Sequence, residues 1–155
     1  MKDLISSKKS LKIIKTNLDI AYIYADLSYA KRRKCGAVLV TPDNKRILMG
    51  GYNGTLPGFP NVCEVNDKTL EEVVHAEQNV ITFCAKYGIR TDDCILYSTT
   101  LPCVNCAKLI ISAGIKTVFF SEDYRDQRAL ELFKKSGVNV YRVIYNDGRN
   151  INERL

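Results

Sequence analysis

The sequence predicts an α/β fold, a sheet covered by helices, on three observations. In its second half, apolar runs of strand length alternate with helical stretches that end at glycine. That alternation implies parallel pairing, because a parallel connection needs a crossover and a helix supplies it. The chain has 155 residues, 46% hydrophobic and 26% charged, the composition of an ordinary globular protein with a real core. No internal repeat or low-complexity linker divides it, so one domain over residues 1–155 is expected.

From Leu11 to Ala30 the apolar residues Leu11, Ile14, Leu18, Tyr22, Ala25 and Tyr29 recur at helical steps and predict an amphipathic helix. A basic run, Lys31-Arg32-Arg33-Lys34, precedes the apolar strand Gly36 to Val40. Thr41 to Asn44 reads as a turn and Arg46 to Gly50 as the returning strand of a hairpin. Gly51-Tyr52-Asn53-Gly54 is a glycine-flanked corner, and Thr55 to Lys68 reads as a loop long enough for a functional role. A helix is expected from Thr69 or Leu70 to Tyr87, stopped by Gly88. Cys94 to Ser98 is a third strand. Pro102 opens a helix that runs through Ala113 and closes at Gly114. Thr117 to Ser121 is a fourth strand, Arg125 to Ser136 a helix, and Val138 to Ile144 a fifth strand. The polar tail from Asn146 to Leu155 is expected to be loosely held.

A net charge of +6 fits an anionic partner, either a nucleotide phosphate or a nucleic acid, and equally fits simple solubility. No apolar run has the length of a membrane span, and the polar, lysine-containing start is not a signal peptide, which points to the cytoplasm. In a reducing compartment the six cysteines are thiols or metal ligands. Cys35, Cys84 and Cys94 lie in or beside apolar segments and read as small buried residues, while Cys63 lies in a loop.

Two short stretches carry the chemistry: His75-Ala76-Glu77 and Pro102-Cys103-Val104-Asn105-Cys106. Imidazole and thiolate are the usual zinc ligands, and three protein ligands leave a tetrahedral site one open position for water. His75, Cys103 and Cys106 fit those three places. Glu77 is not needed as a ligand and suits a proton carrier between water and a leaving group. A lone C-x-x-C is weak evidence. Here it stands with the only histidine of the chain, a glutamate two positions on, and a proline before the first cysteine. The two cysteines also fall in the first turn of a predicted helix, where free N–H groups favour thiolate. H-x-E followed by P-C-x-x-C is the pattern of the zinc deaminases.

On these stretches, and on Gly36 to Val40 running to Gly51-Tyr52-Asn53-Gly54 and Thr99 to Gly114 (TTLPCVNCAKLIISAG), the sequence resembles the deoxycytidylate (dCMP) deaminases of the cytidine deaminase-like superfamily. The resemblance spans Leu11 to Tyr145. It implies a three-layer α/β/α sandwich with a five-stranded mixed sheet, one catalytic zinc ion, and a homo-oligomer, often a hexamer. The implied reaction removes the 4-amino group of dCMP to give dUMP, with Glu77 moving the protons. By resemblance, the Ala76 N–H faces the pyrimidine carbonyl and the carbonyls near Thr100 and Leu101 face the amine. Asn53 reaches the sugar hydroxyl, Tyr124 lies near base and phosphate, and Arg32 and Arg125 are candidates for the phosphate. Members regulated by dCTP or dTTP, with Mg2+, bind the effector near the corner that Gly51, Tyr52, Asn53 and Gly54 occupy here. Some members hold a second, structural zinc with extra histidines; this segment has Cys63 and no histidine, so none is expected.

Three alternatives stay open on sequence grounds: a dual dCMP/dCTP deaminase, a polynucleotide deaminase acting on tRNA adenosine or single-stranded DNA, and a non-catalytic zinc scaffold. The chain has no tryptophan and no aromatics interleaved with its basic residues to stack bases, so nucleic acid is not the expected partner. A scaffold has no use for Glu77.

Overall fold

The computed structural model describes residues 7–144, together with the backbone of 151–154. Helix α1 (Lys8–Asp26) opens at Ser7, whose hydroxyl accepts the Ser10 N–H. It stops short of the expected Ala30 because the Ser28 hydroxyl donates to the Asn53 carbonyl and accepts the Ala30 N–H, turning the chain away. Strands β1 (Gly36–Val40) and β2 (Ile47–Tyr52) form the expected hairpin. Its turn is fixed by buried Asn44 (φ 60°), whose side-chain oxygen accepts from Asn17 and from the Tyr97 hydroxyl.

The stretch read as a loop is irregular from Leu56 to Cys63, as expected, and carries short strands at its two ends. β3 (Gly54–Thr55) pairs with β6 (Val73–Val74), and β4 (Glu64–Val65) pairs with β5 (Lys68–Thr69). The second pair closes through Asn66 and Asp67, both at positive φ, the geometry of a tight type I′ hairpin. These pairings claim Thr69, Val73 and Val74, with a turn at Glu71 and Glu72 between them, so α2 (Ala76–Tyr87) begins later than the sequence predicted, with His75 as its N-cap. β7 (Ile95–Thr100), α3 (Val104–Ser112), β8 (Thr117–Glu122), α4 (Arg128–Ser136) and β9 (Asn139–Val143) follow in the expected order. α4 starts three residues late because the Asp126 carboxylate accepts the Arg128 N–H.

The sheet order is β10-β9-β8-β7-β1-β2, with β7, β8 and β9 parallel and the other pairs antiparallel. The five expected strands are all present. A sixth, β10 (Ile151–Arg154), adds to the β9 edge, so this part of the tail is not loose as expected. Residues 145–150 and 155 lie outside the described residues.

Alternation along the strands builds the three layers. Val38, Val40, Ile95, Tyr97 and Phe119 face α1 with Ile14, Leu18 and Ala21. Ala37, Leu39, Leu96, Val118 and Phe120 face the other helices with Val80, Ile110 and Phe133. Tyr97, Phe119 and Tyr141 sit at matched positions of neighbouring strands and stack at 4.9 and 5.0 Å between centroids. Each such pair contributes about 0.5–1.5 kcal/mol beyond its buried area. A Cβ on Gly36 would run into the Ala21 carbonyl oxygen, so glycine is what lets β1 lie directly against α1. Among the described residues, no helix is long and apolar enough to cross a membrane.

Candidate active site

His75 caps α2 with extended backbone, and its N–H donates to Gln78 Oε1 at 2.9 Å, fixing the entry to the helix. Cys103 caps α3, its sulfur accepting the Cys106 N–H at 3.5 Å. α3 follows directly on β7 and packs beside α2, so the two helix starts meet at one end of the sheet. His75 Nδ1 comes within 3.6 Å of Cys103 Sγ and 3.4 Å of Cys106 Sγ. All three ligand atoms lie within 4.8 Å of one another, and among the described residues no other such group forms. One imidazole nitrogen and two sulfurs, with room for a fourth ligand, are the donor set of a catalytic zinc site.

The hydrogen bond from Cys106, together with His75 and the α3 N–H, holds the Cys103 thiol at about 4. Cys106, keeping the proton beside that thiolate and buried, is pushed well up. The hydrogen bond to Cys103 also raises His75. Glu77 is 5% exposed, and burial raises its carboxyl above the usual carboxylate range. The Ser98 hydroxyl, wholly buried, donates to Glu77 Oε1 at 3.3 Å.

A cleft of about 400 Å3 opens above these groups. His75, Glu77 and Cys103 line its floor, and Arg32, Asn53, Thr100, Leu101, Tyr124 and Arg125 line its walls, as the sequence grouped them. Ala76 does not line it: its side chain is fully buried in the core. Nor do Gly51, Tyr52 and Gly54. Gly51 lies close under α2, where a Cβ would meet Val80 at 3.1 Å and the Ala76 carbonyl at 3.2 Å. The Tyr52 carbonyl accepts from Asn79 at 2.7 Å. Asn53 is held by its neighbours: Oδ1 accepts the Cys35 N–H at 2.7 Å and Nδ2 donates to the Arg33 carbonyl at 2.9 Å.

Cys84, Cys94 and Cys63 are buried. Cys35 is not the core residue expected; it is half-buried in the cleft wall, 3.7 Å from Thr100 Oγ1. Sequence reading also missed Arg33, Glu64, Thr69 and Asp123 in the walls, and Ser98 beneath the floor. Ser98 had a signal. It is a hydroxyl in a continuous buried strand, two residues from Leu96 and so on the face that meets α2.

Comparison with known proteins agrees with this geometry. A family model of the cytidine and deoxycytidylate deaminase zinc-binding region matches residues 12–122. The chain is 40% identical over 128 residues to ComE operon protein 2 of Bacillus subtilis, covering 79% of this chain and 67% of that one. It is 35% identical over 158 residues to the deoxycytidylate deaminase of Mus musculus, covering 87% and 85%. The crystal structure of dCMP deaminase from the cyanophage S-TIM5, in complex with dCMP and dUMP, superposes with a TM-score of 0.81 at 36% identity, covering 84% of this chain and 96% of that one.

Proposed function

This chain is a deaminase of the cytidine and deoxycytidylate deaminase family, and from that premise we propose that it hydrolyses dCMP to dUMP and ammonia. The observation that carries the reading is the convergence of His75 Nδ1, Cys103 Sγ and Cys106 Sγ beside the buried Glu77 carboxylate, at the floor of a cleft with arginines in its wall. Its volume falls within the roughly 300–1,000 Å3 of small-ligand sites.

His75, Cys103 and Cys106 would hold the zinc ion. When bound, zinc lowers the pKa of water towards neutrality and so supplies a nucleophile. The Glu77 carboxylate takes the first proton of the attacking water and passes it to N3 of the ring; it then takes the remaining proton from the hydroxyl added at C4 and delivers it to the amine, so that the C4–N bond breaks, ammonia leaves and the oxygen stays as the C4 carbonyl. Its raised basicity suits both directions of transfer near neutral pH. The Ser98 hydroxyl holds Oε1 and leaves the other carboxylate oxygen for the proton. The first N–H of α2, that of Ala76, has no acceptor within the helix and would meet the pyrimidine carbonyl. The Thr100 and Leu101 carbonyls would receive the amine. Asn53, with its amide fixed on the 33–35 backbone, would orient the sugar.

At the outer end of the cleft, Tyr124 would sit by the base and phosphate, with Arg125 over its ring at 5.8 Å. The Arg32 guanidinium makes no hydrogen bond or ion pair among the described residues and is the first candidate for the phosphate.

The finer parts of the reading rest on the family resemblance. They are a single deaminase domain in the cytoplasm, assembled as a homo-oligomer, with a hexamer as first expectation. The enzyme would supply dUMP for dTMP synthesis under control of dCTP and dTTP with Mg2+ near the Gly51–Gly54 corner. The experiment is turnover of dCMP before zinc removal by a chelator, after it, and on readdition, repeated with each effector. Recovery of dUMP production with zinc supports the reaction, and no turnover at full zinc loading would refute it.

A further inference from the structure

We propose that Glu64 is a positioning residue for Arg32, holding the backbone of the basic segment so that the Arg32 guanidinium meets the phosphate of the substrate. The inference rests on the dCMP reading. Lys31 and Arg32 lie in bends, without helix or strand bonds to fix them. Glu64 supplies that fixation from across the cleft. Its Oε1 accepts the N–H groups of Lys31 at 3.2 Å and Arg32 at 3.3 Å, and its Oε2 accepts Lys31 N–H at 3.1 Å.

The segment is pinned at its other end as well. Asn53 holds the Arg33 carbonyl, and the Arg33 guanidinium reaches the Asp123 carbonyl and the Glu122 carboxylate. Arg33 is therefore occupied by the opposite wall, and Arg32 is left facing the cleft. Glu64 itself is the first residue of a two-stranded hairpin closed by Asn66 and Asp67, and its backbone is paired to Thr69 there. A carboxylate in the wall of an anion-binding cleft repels its ligand. Here both oxygens are turned onto backbone N–H groups, where they offset that repulsion by ordering the arginine that attracts it.

The test is steady-state kinetics on zinc-loaded protein with dCMP. Wild-type turnover is read first; its absence would overturn the substrate reading itself, an outcome distinct from any variant effect. Glu64→Ala is expected to raise KM for dCMP about ten-fold with kcat within about two-fold, the signature of a lost binding contact. Glu64→Gln is expected to restore most of the affinity, because one oxygen already accepts from both N–H groups. In an Arg32→Ala background the Glu64→Ala change is expected to add less than about two-fold. An unchanged KM, a loss carried mainly by kcat, or a full multiplicative effect on top of Arg32→Ala would each overturn the proposal. Should the alanine variant fail to fold, Glu64→Asp is read by the same criteria, its carboxylate being too short to span both N–H groups.

Discussion

His75 Nδ1 and Cys106 Sγ stand 3.4 Å apart although 31 residues separate them in the chain. The contact exists because α2 and α3 begin side by side, each with a candidate ligand in its capping position. Cys106 lies one turn further along α3, where its sulfur closes the group. Replacing either partner should therefore remove the metal and not merely weaken it. His75→Ala and Cys106→Ser are each expected to drop zinc from one ion per chain to well below half, read by elemental analysis, with a lowered melting temperature.

Zinc affinity should rise with pH. In the metal-free site Cys106 keeps its proton and must release it on binding, so affinity should climb about ten-fold per pH unit across neutrality. Cys103, already held at about 4, adds nothing to that slope. His75 is raised, so below its elevated pKa a second proton must leave and the slope steepens on acidification. Competition with a chromophoric chelator between about pH 6 and 8 measures it.

Glu77→Gln separates chemistry from structure. Turnover should fall by about 10²–10⁴, the usual worth of a placed acid–base group, while zinc stays bound. The stability effect has a definite sign in metal-free protein. Burial raises the Glu77 carboxyl in the fold, so the folded state loses stability as pH rises through that elevated value. The glutamine variant should thus melt higher than wild type at neutral pH, and the gap should close as pH falls below the ordinary carboxylate range. A thermal melt series against pH checks this.

Gly36→Ala probes the seam between α1 and the sheet. The added methyl would overlap the Ala21 carbonyl oxygen and crowd the Ala25 N–H, both of them helix backbone that cannot swing aside. Overpacking of this kind costs about 1–3 kcal/mol. The denaturation midpoint should shift down accordingly, with zinc binding intact in the protein that remains folded.

Much of the site was legible because its ligands are spaced locally. His75 and Glu77 are two residues apart and Cys103 and Cys106 three, so one helix turn carries each pair. The strands were legible for a similar reason: β1 is a continuous apolar run buried on both faces, and β7 opens on one at Ile95-Leu96-Tyr97. What escaped depends on distant partners. Thr69 to Val74 has helix-compatible residues, but backbone pairing with Gly54–Thr55 and Glu64–Val65 claims much of that stretch. The Asn66-Asp67 turn lacks the glycine that marks the usual two-residue hairpin, and so it escaped as well. Glu64 meets Lys31 from 33 residues away, and nothing near either residue announces it. Cys35 read as core because it borders the apolar run Gly36 to Val40, yet it lies just before that strand, in the cleft wall.

The most direct test is a side-by-side comparison of kcat/KM for dCMP, dCTP, deoxycytidine and a cytosine-containing DNA strand on zinc-loaded protein. dCMP should be the best substrate by at least about ten-fold over deoxycytidine, the margin expected of a charge-assisted arginine contact to its phosphate, with no turnover of DNA. Equal rates on dCMP and deoxycytidine, or turnover of DNA alone, would contradict the dCMP reading.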